Sequence, residues 1–84
     1  MQSTTAASAD LGIPISFAKA GDCGIVVRIS GDSGTKKFLT DLGFTAGTHI
    51  QTVSDVKGSK ILSVRGSRIA VDSRMASKIY FRPE

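Results

Sequence analysis

His49 and Cys23 are the single histidine and the single cysteine of this 84-residue chain. They stand far apart in sequence, and a closed tetrahedral metal site would need carboxylates or a second chain to complete it. His49 therefore reads as decoration on a strand edge. Cys23, inside Gly21-Asp22-Cys23-Gly24, reads as a small residue filling a turn. The acids Asp22, Asp32, Asp41, Asp55 and Asp72 are dispersed, several of them where caps and turns are expected. An oxygen-ligand site would require several of them to converge. Gly31-Asp32-Ser33-Gly34-Thr35-Lys36 lacks the glycine spacing and the Gly-Lys-Ser/Thr end of a phosphate-binding loop, and reads as a strand-to-helix turn. The expectation is a protein without a catalytic set, a resident metal or a cofactor: a binding module rather than an enzyme.

Size and charge narrow the partners. At this length a single domain is expected, and folding buries only ~60% of the surface that the unfolded chain exposes. A lone cysteine cannot close an internal disulfide, which favours a reducing, cytoplasmic setting. No apolar run approaches the length of a membrane span, and the N-terminus lacks the pattern of a secretory signal, so no membrane insertion is expected. Between Lys19 and Arg82, 11 basic residues face 5 acidic ones. That excess suits an acidic protein, nucleic acid or an anionic surface, or serves solubility alone. Nucleic acid is disfavoured, because most of the five aromatics (Phe17, Phe38, Phe44, Tyr80, Phe81) are needed for a small core and none lies in the basic stretch from Lys60 to Val71.

The elements that must position these residues are mostly strands. Residues 1–12 read as a loose Ser/Thr/Ala-rich tail, and residues 13–84 as the folded domain. Ile13, Ile15 and Phe17 are the first residues expected in the core. From Gly24 to Ser30 the sequence alternates, with Ile25, Val27 and Ile29 expected inward. Asp32 or Ser33 then caps a helix over about 34–42 that carries Phe38, Leu39 and Leu42 on one stripe. Gly43 suits the left-handed residue after the helix, so that Phe44 meets Leu39 across the ending. Thr48 to Val56 is the next strand, with a bulge expected between Ile50 and Val53, where alternation fails. Lys60 to Arg65 carries Leu62 and Val64 inward. A Gly66-Ser67 turn leads to Arg68–Val71, and a helical turn near 73–78, capped at Asp72-Ser73 and carrying Met75, Ala76 and Ile79, precedes a last strand at Tyr80-Phe81. About five short strands with one inserted helix predict a mainly β fold, a small closed barrel.

The stretch Ala20-Gly21-Asp22-Cys23-Gly24-Ile25-Val26-Val27-Arg28-Ile29, the helix and its ending Lys36-Lys37-Phe38-Leu39-Thr40-Asp41-Leu42-Gly43-Phe44-Thr45-Ala46-Gly47-Thr48, and Val64-Arg65-Gly66-Ser67-Arg68-Ile69-Ala70-Val71 together resemble the FeoA family. The similarity runs from about Ile15 to Phe81 in order and with close spacing. Ala46 stands where that family commonly has proline. The resemblance implies an SH3-like β-barrel and an accessory role in bacterial ferrous iron uptake. It also implies a partner, the FeoB membrane transporter with its cytosolic GTP-binding portion. A similar barrel occurs in iron-dependent repressors, so a regulatory or nucleic-acid-associated role and direct carriage of ferrous iron are the alternatives. Docking is expected at the helix corner through Lys36, Lys37, Phe44 and Thr45, or at an exposed barrel edge by strand addition, with weak self-association plausible. Against the corner stands the simpler role of Phe44, packing on Leu39.

Overall fold

A computed structural model describes residues 12–57 and 59–84. The tail expected over residues 1–12 lies, Gly12 apart, outside the described residues. The strands are β1 (Ile13–Pro14), β2 (Cys23–Ile29), β3 (His49–Val56), β4 (Ser59–Val64), β5 (Ser67–Val71) and β6 (Ile79–Pro83). The helices are α1 (Ser33–Asp41) and α2 (Ser73–Ala76), and a 3-10 turn spans Ile15–Phe17. The strands form one antiparallel sheet of 6 strands in the order β1-β6-β2-β3-β4-β5. The fold is mainly β and SH3-like, as expected.

The sheet does not close by hydrogen bonding. β1 and β5 end it without pairing to one another. The 3-10 turn and α2 pack against each other, and α2 also packs against β4 and β5, so the gap is filled by side chains instead of a ladder. The strand beyond the expected five is β1, too short to stand out in the sequence.

The core is a single cluster that includes Ile15, Val26, Leu39, Phe44, Leu62, Val64, Ile79 and Phe81. Of the three residues expected to open it, only Ile15 is buried. Phe17 is 72% exposed and Ile13 is also exposed. A 3-10 turn advances about three residues per turn, so Ile15 and Phe17 cannot share a face there.

Two bulges decide which side chains enter the core. In β2 the register shifts between Val26 and Arg28. Val26, not Val27, is fully buried, Ile25 and Val27 are only half-buried, and Ile29 packs on the core only because the bulge reverses the phase. The expected inward set Ile25, Val27 and Ile29 is therefore correct only at Ile29. Gly24 allows this course: a Cβ there would collide with the Arg82 carbonyl and lie 2.7 Å from Phe81 Cδ2. The second bulge, between Thr52 and Ser54, falls where alternation failed in the sequence. It turns Asp55 towards its cross-strand partner Lys60 and leaves Val56 exposed.

The local signals around α1 hold. Asp32 caps the helix, its Oδ1 accepting the Thr35 N–H at 2.8 Å. At the other end the Phe44 N–H bonds the Leu39 carbonyl at 3.1 Å and the Gly43 N–H bonds the Thr40 carbonyl at 2.9 Å, with Gly43 at φ 112°. That is the expected left-handed ending. The β4–β5 turn sits one residue earlier than expected. Its central residues are Arg65 (φ 52°) and Gly66 (φ 81°), and Val64 pairs with Ser67. Both positive φ values match the twist of a two-residue hairpin. Asp72 caps α2 by accepting the Met75 N–H at 2.8 Å, while Ile79 belongs to β6 rather than to the helical turn.

Candidate functional site

The corner where α1 turns into β3 does not present the residues in the way the sequence suggested. Phe44 is 0% exposed, so its ring cannot touch a partner. Its burial agrees with the simpler role, a core residue in one cluster with Leu39. The exposed aromatic is Phe38, 52% accessible, although its spacing placed it on the inward stripe. Of that stripe Leu39 is fully buried and Leu42 half-buried. A nine-residue helix lying on a small sheet buries a narrow face, and Phe38 falls outside it. Lys36 and Lys37 are exposed beside Phe38. Lys37 Nζ lies 3.5 Å from Asp41 Oδ2, a solvated pair of little energetic weight.

Thr45 is half-buried and shares a hydrogen bond with Thr48, Oγ1 to Oγ1, at 2.8 Å. Arg65 Nη2 donates to Thr45 Oγ1 at 3.4 Å. The tip of the β4–β5 hairpin therefore reaches the helix corner at Thr45. Arg65 and Thr45 are distant in sequence, and only the folded sheet joins them.

Asp32, at the head of α1, keeps a carboxyl pKa below the ordinary value of 3.8. The Thr35 backbone N–H is the main cause. The Thr35 hydroxyl and the positive charge of Lys78 add to it.

A second feature lies on the outer sheet face. The bulge in β2 sets Arg28 opposite Tyr80 on β6, with the guanidinium 3.9 Å from the ring centroid. His49 is not on a sheet edge. It begins β3, between β2 and β4, and its Nδ1 lies 3.2 Å from Glu84 Oε1 in an exposed contact. Cys23 is exposed at the start of β2 rather than packed in a turn. Among the described residues no group of three or more His, Cys, Asp or Glu side chains could hold a metal ion, and no helix is long and apolar enough to cross a membrane.

Lys60 is a charged side chain almost wholly removed from solvent, 2% exposed. Its ammonium donates to the Ala18 carbonyl at 2.7 Å and lies 2.9 Å from Asp55 Oδ1. The alternation Lys60, Leu62, Val64 carried this signal, since it places Lys60 on the inward face. The lysine ties β4 to the chain leaving the 3-10 turn, next to the opening in the sheet.

Comparison with known proteins agrees with this architecture. Fe(2+) transport protein A of Methanocaldococcus jannaschii is 33% identical over 66 residues, which cover 79% of this chain and 80% of that protein. The crystal structure of an iron uptake regulatory protein, FeoA, superposes with a TM-score of 0.80 at 35% identity, covering 86% of this chain and 96% of the other. A manganese-dependent transcriptional repressor superposes with a TM-score of 0.78 at 18% identity, but this chain spans only 41% of it, and the likeness is one of fold alone. A family model described as the FeoA domain matches residues 13–83, nearly every residue of the sheet and both helices, and the chain thus belongs to the FeoA family.

Proposed function

We propose that this protein is an accessory of ferrous iron uptake that works in the cytoplasm, without catalysing a reaction, by docking on the cytosolic GTP-binding portion of a FeoB-type membrane transporter. The FeoA-domain match over residues 13–83 carries this reading. Likeness to an Fe(2+) transport protein and to an iron uptake regulatory protein supports it. The helix corner offers a suitable contact, with two exposed lysines, the exposed ring of Phe38, and Arg65 held beside Thr45. Arginine and aromatic side chains are enriched where proteins meet. Phe44 supports the corner from below and makes no contact of its own.

Two measurements test the reading. Deletion of the gene should slow ferrous iron uptake under low oxygen, and an unchanged rate would refute the accessory role. The purified protein should bind the transporter's cytosolic portion, and a Lys36→Glu/Lys37→Glu/Phe38→Asp variant should bind about tenfold or more weakly while unfolding at the same temperature. Unchanged affinity in that variant removes the corner from the interface.

A further inference from the structure

β5 ends the sheet, and its free edge carries an ordered set of backbone groups. The Arg65-Gly66 turn makes Val64 and Ser67 the closing pair of the hairpin. In a two-residue hairpin that pair exchanges both of its hydrogen bonds, and the pairs then alternate along the ladder. Leu62 with Ile69 and Lys60 with Val71 are therefore the bonded pairs. Ser63 with Arg68 and Ile61 with Ala70 are not. Arg68 and Ala70 thus aim their N–H and C=O groups away from β4, towards the side where no strand pairs. Both residues are exposed, and among the described residues no turn or loop bond engages their backbone. Four polar backbone groups in line form a template for an added strand.

The side chains along this edge select what adds to it. Arg68 and Ala70, two residues apart, share the outward face. Arg68 has no carboxylate within ion-pair distance among the described residues, and Ala70 lies across from the exposed Ile61. A complementary strand places an acidic residue beside Arg68 and an apolar one two positions away. A second copy of this chain does not meet that need. β5 (Ser67-Arg68-Ile69-Ala70-Val71) holds no acid, and Asp72 just beyond it is engaged as the cap of α2 through the Met75 N–H, so a second β5 edge brings no uncommitted carboxylate to Arg68. We propose that the free edge of β5 binds, by strand addition, an extended acidic segment of the partner protein. This deepens the docking reading above and rests on it. The edge is continuous with the helix corner through the Arg65–Thr45 contact.

The test uses the full chain and the transporter's cytosolic portion as probe. Ala70→Pro removes one outward N–H and no bond to β4, and proline is tolerated on an edge strand. Arg68→Glu leaves the backbone intact and reverses the charge. Each should weaken binding at least about fivefold, the order expected for one lost interfacial hydrogen bond or ion pair. In the wild-type complex the Arg68 and Ala70 amides should exchange with solvent more slowly than in the free protein, a readout that stands even if Ala70→Pro fails to fold. Full binding by Arg68→Glu with unslowed amides overturns the edge and leaves the transporter as partner. Failure of the wild-type protein to bind overturns the partner and the edge together. A homodimer that Ala70→Pro abolishes overturns the acidic segment in favour of a second copy.

Discussion

Lys60→Met is the most informative single perturbation of this fold. Methionine keeps much of the lysine's length and apolar stem and discards the ammonium. Two interactions go with it: the 2.7 Å bond to the Ala18 carbonyl and the 2.9 Å contact with Asp55. The carbonyl belongs to a buried residue and has no other donor among the described residues, so leaving it unpaired costs about 1–3 kcal/mol. The Asp55 side chain is 32% exposed and can be rehydrated, so loss of the pair adds only about 1 kcal/mol. The sum is roughly 2–4 kcal/mol, against a total stability of about 5–15 kcal/mol for a domain. For one of this size each kcal/mol moves the midpoint by roughly 4–8 °C, which puts the shift at about 10–30 °C. Urea and thermal unfolding followed by far-ultraviolet circular dichroism measure it; the chain has no tryptophan to report by fluorescence. The loss should also be local. The Gly21 N–H, bonded to the Thr52 carbonyl at 2.8 Å just beyond the tethered segment, should exchange faster in the variant. A loss below about 0.5 kcal/mol with unchanged Gly21 exchange would show that packing alone holds the segment after the 3-10 turn against β4, and the role given to Lys60 would be wrong.

Two further outcomes follow from burial and capping. Phe44→Ala should cost about 3–5 kcal/mol in chemical unfolding because the ring is wholly buried, whereas Phe38→Ala should stay within about 0.5 kcal/mol; comparable losses at both would contradict the assigned faces of α1. The Asp32 carboxyl should titrate, by NMR, below its ordinary value of 3.8, because the Thr35 N–H favours the charged form. A pKa lowered by folding makes the cap's contribution fully present above the unfolded value and loses it as pH falls through the folded one, so stability should decline on acidification and Asp32→Asn should decline less. An Asp32 midpoint at or above the ordinary value would refute the capping account.

The sequence by itself determined the local chemistry and, through it, the family. Asp32, Gly43 and Asp72 act within a few residues of themselves, so the cap, the helix ending and the second cap were legible without the fold. The bulge near Val53 was legible too, because a broken alternation is a one-dimensional signal. The phase beyond each bulge was not. The apolar run Ile25-Val26-Val27 has no polar residue to mark the outer face, and the close approach of β6 over Gly24 decided which side went in. Phe38 and Phe44 are chemically alike and flank the same helix ending, and only the position of the sheet beneath α1 exposes one and buries the other. Of the residues offered for docking, Lys36 and Lys37 are exposed along α1 and Thr45 is half-buried at the corner, while Arg65 reaches Thr45 through a hairpin whose place is set by pairing distant in sequence. Tertiary structure alone decided that the sheet stays open between β1 and β5, and that Lys60, which alternation already placed inward, meets a carbonyl and a carboxylate there. The reason is physical: an inward lysine is tolerated only where two other segments converge to satisfy its charge, and that convergence is a property of the closed molecule rather than of any stretch of chain.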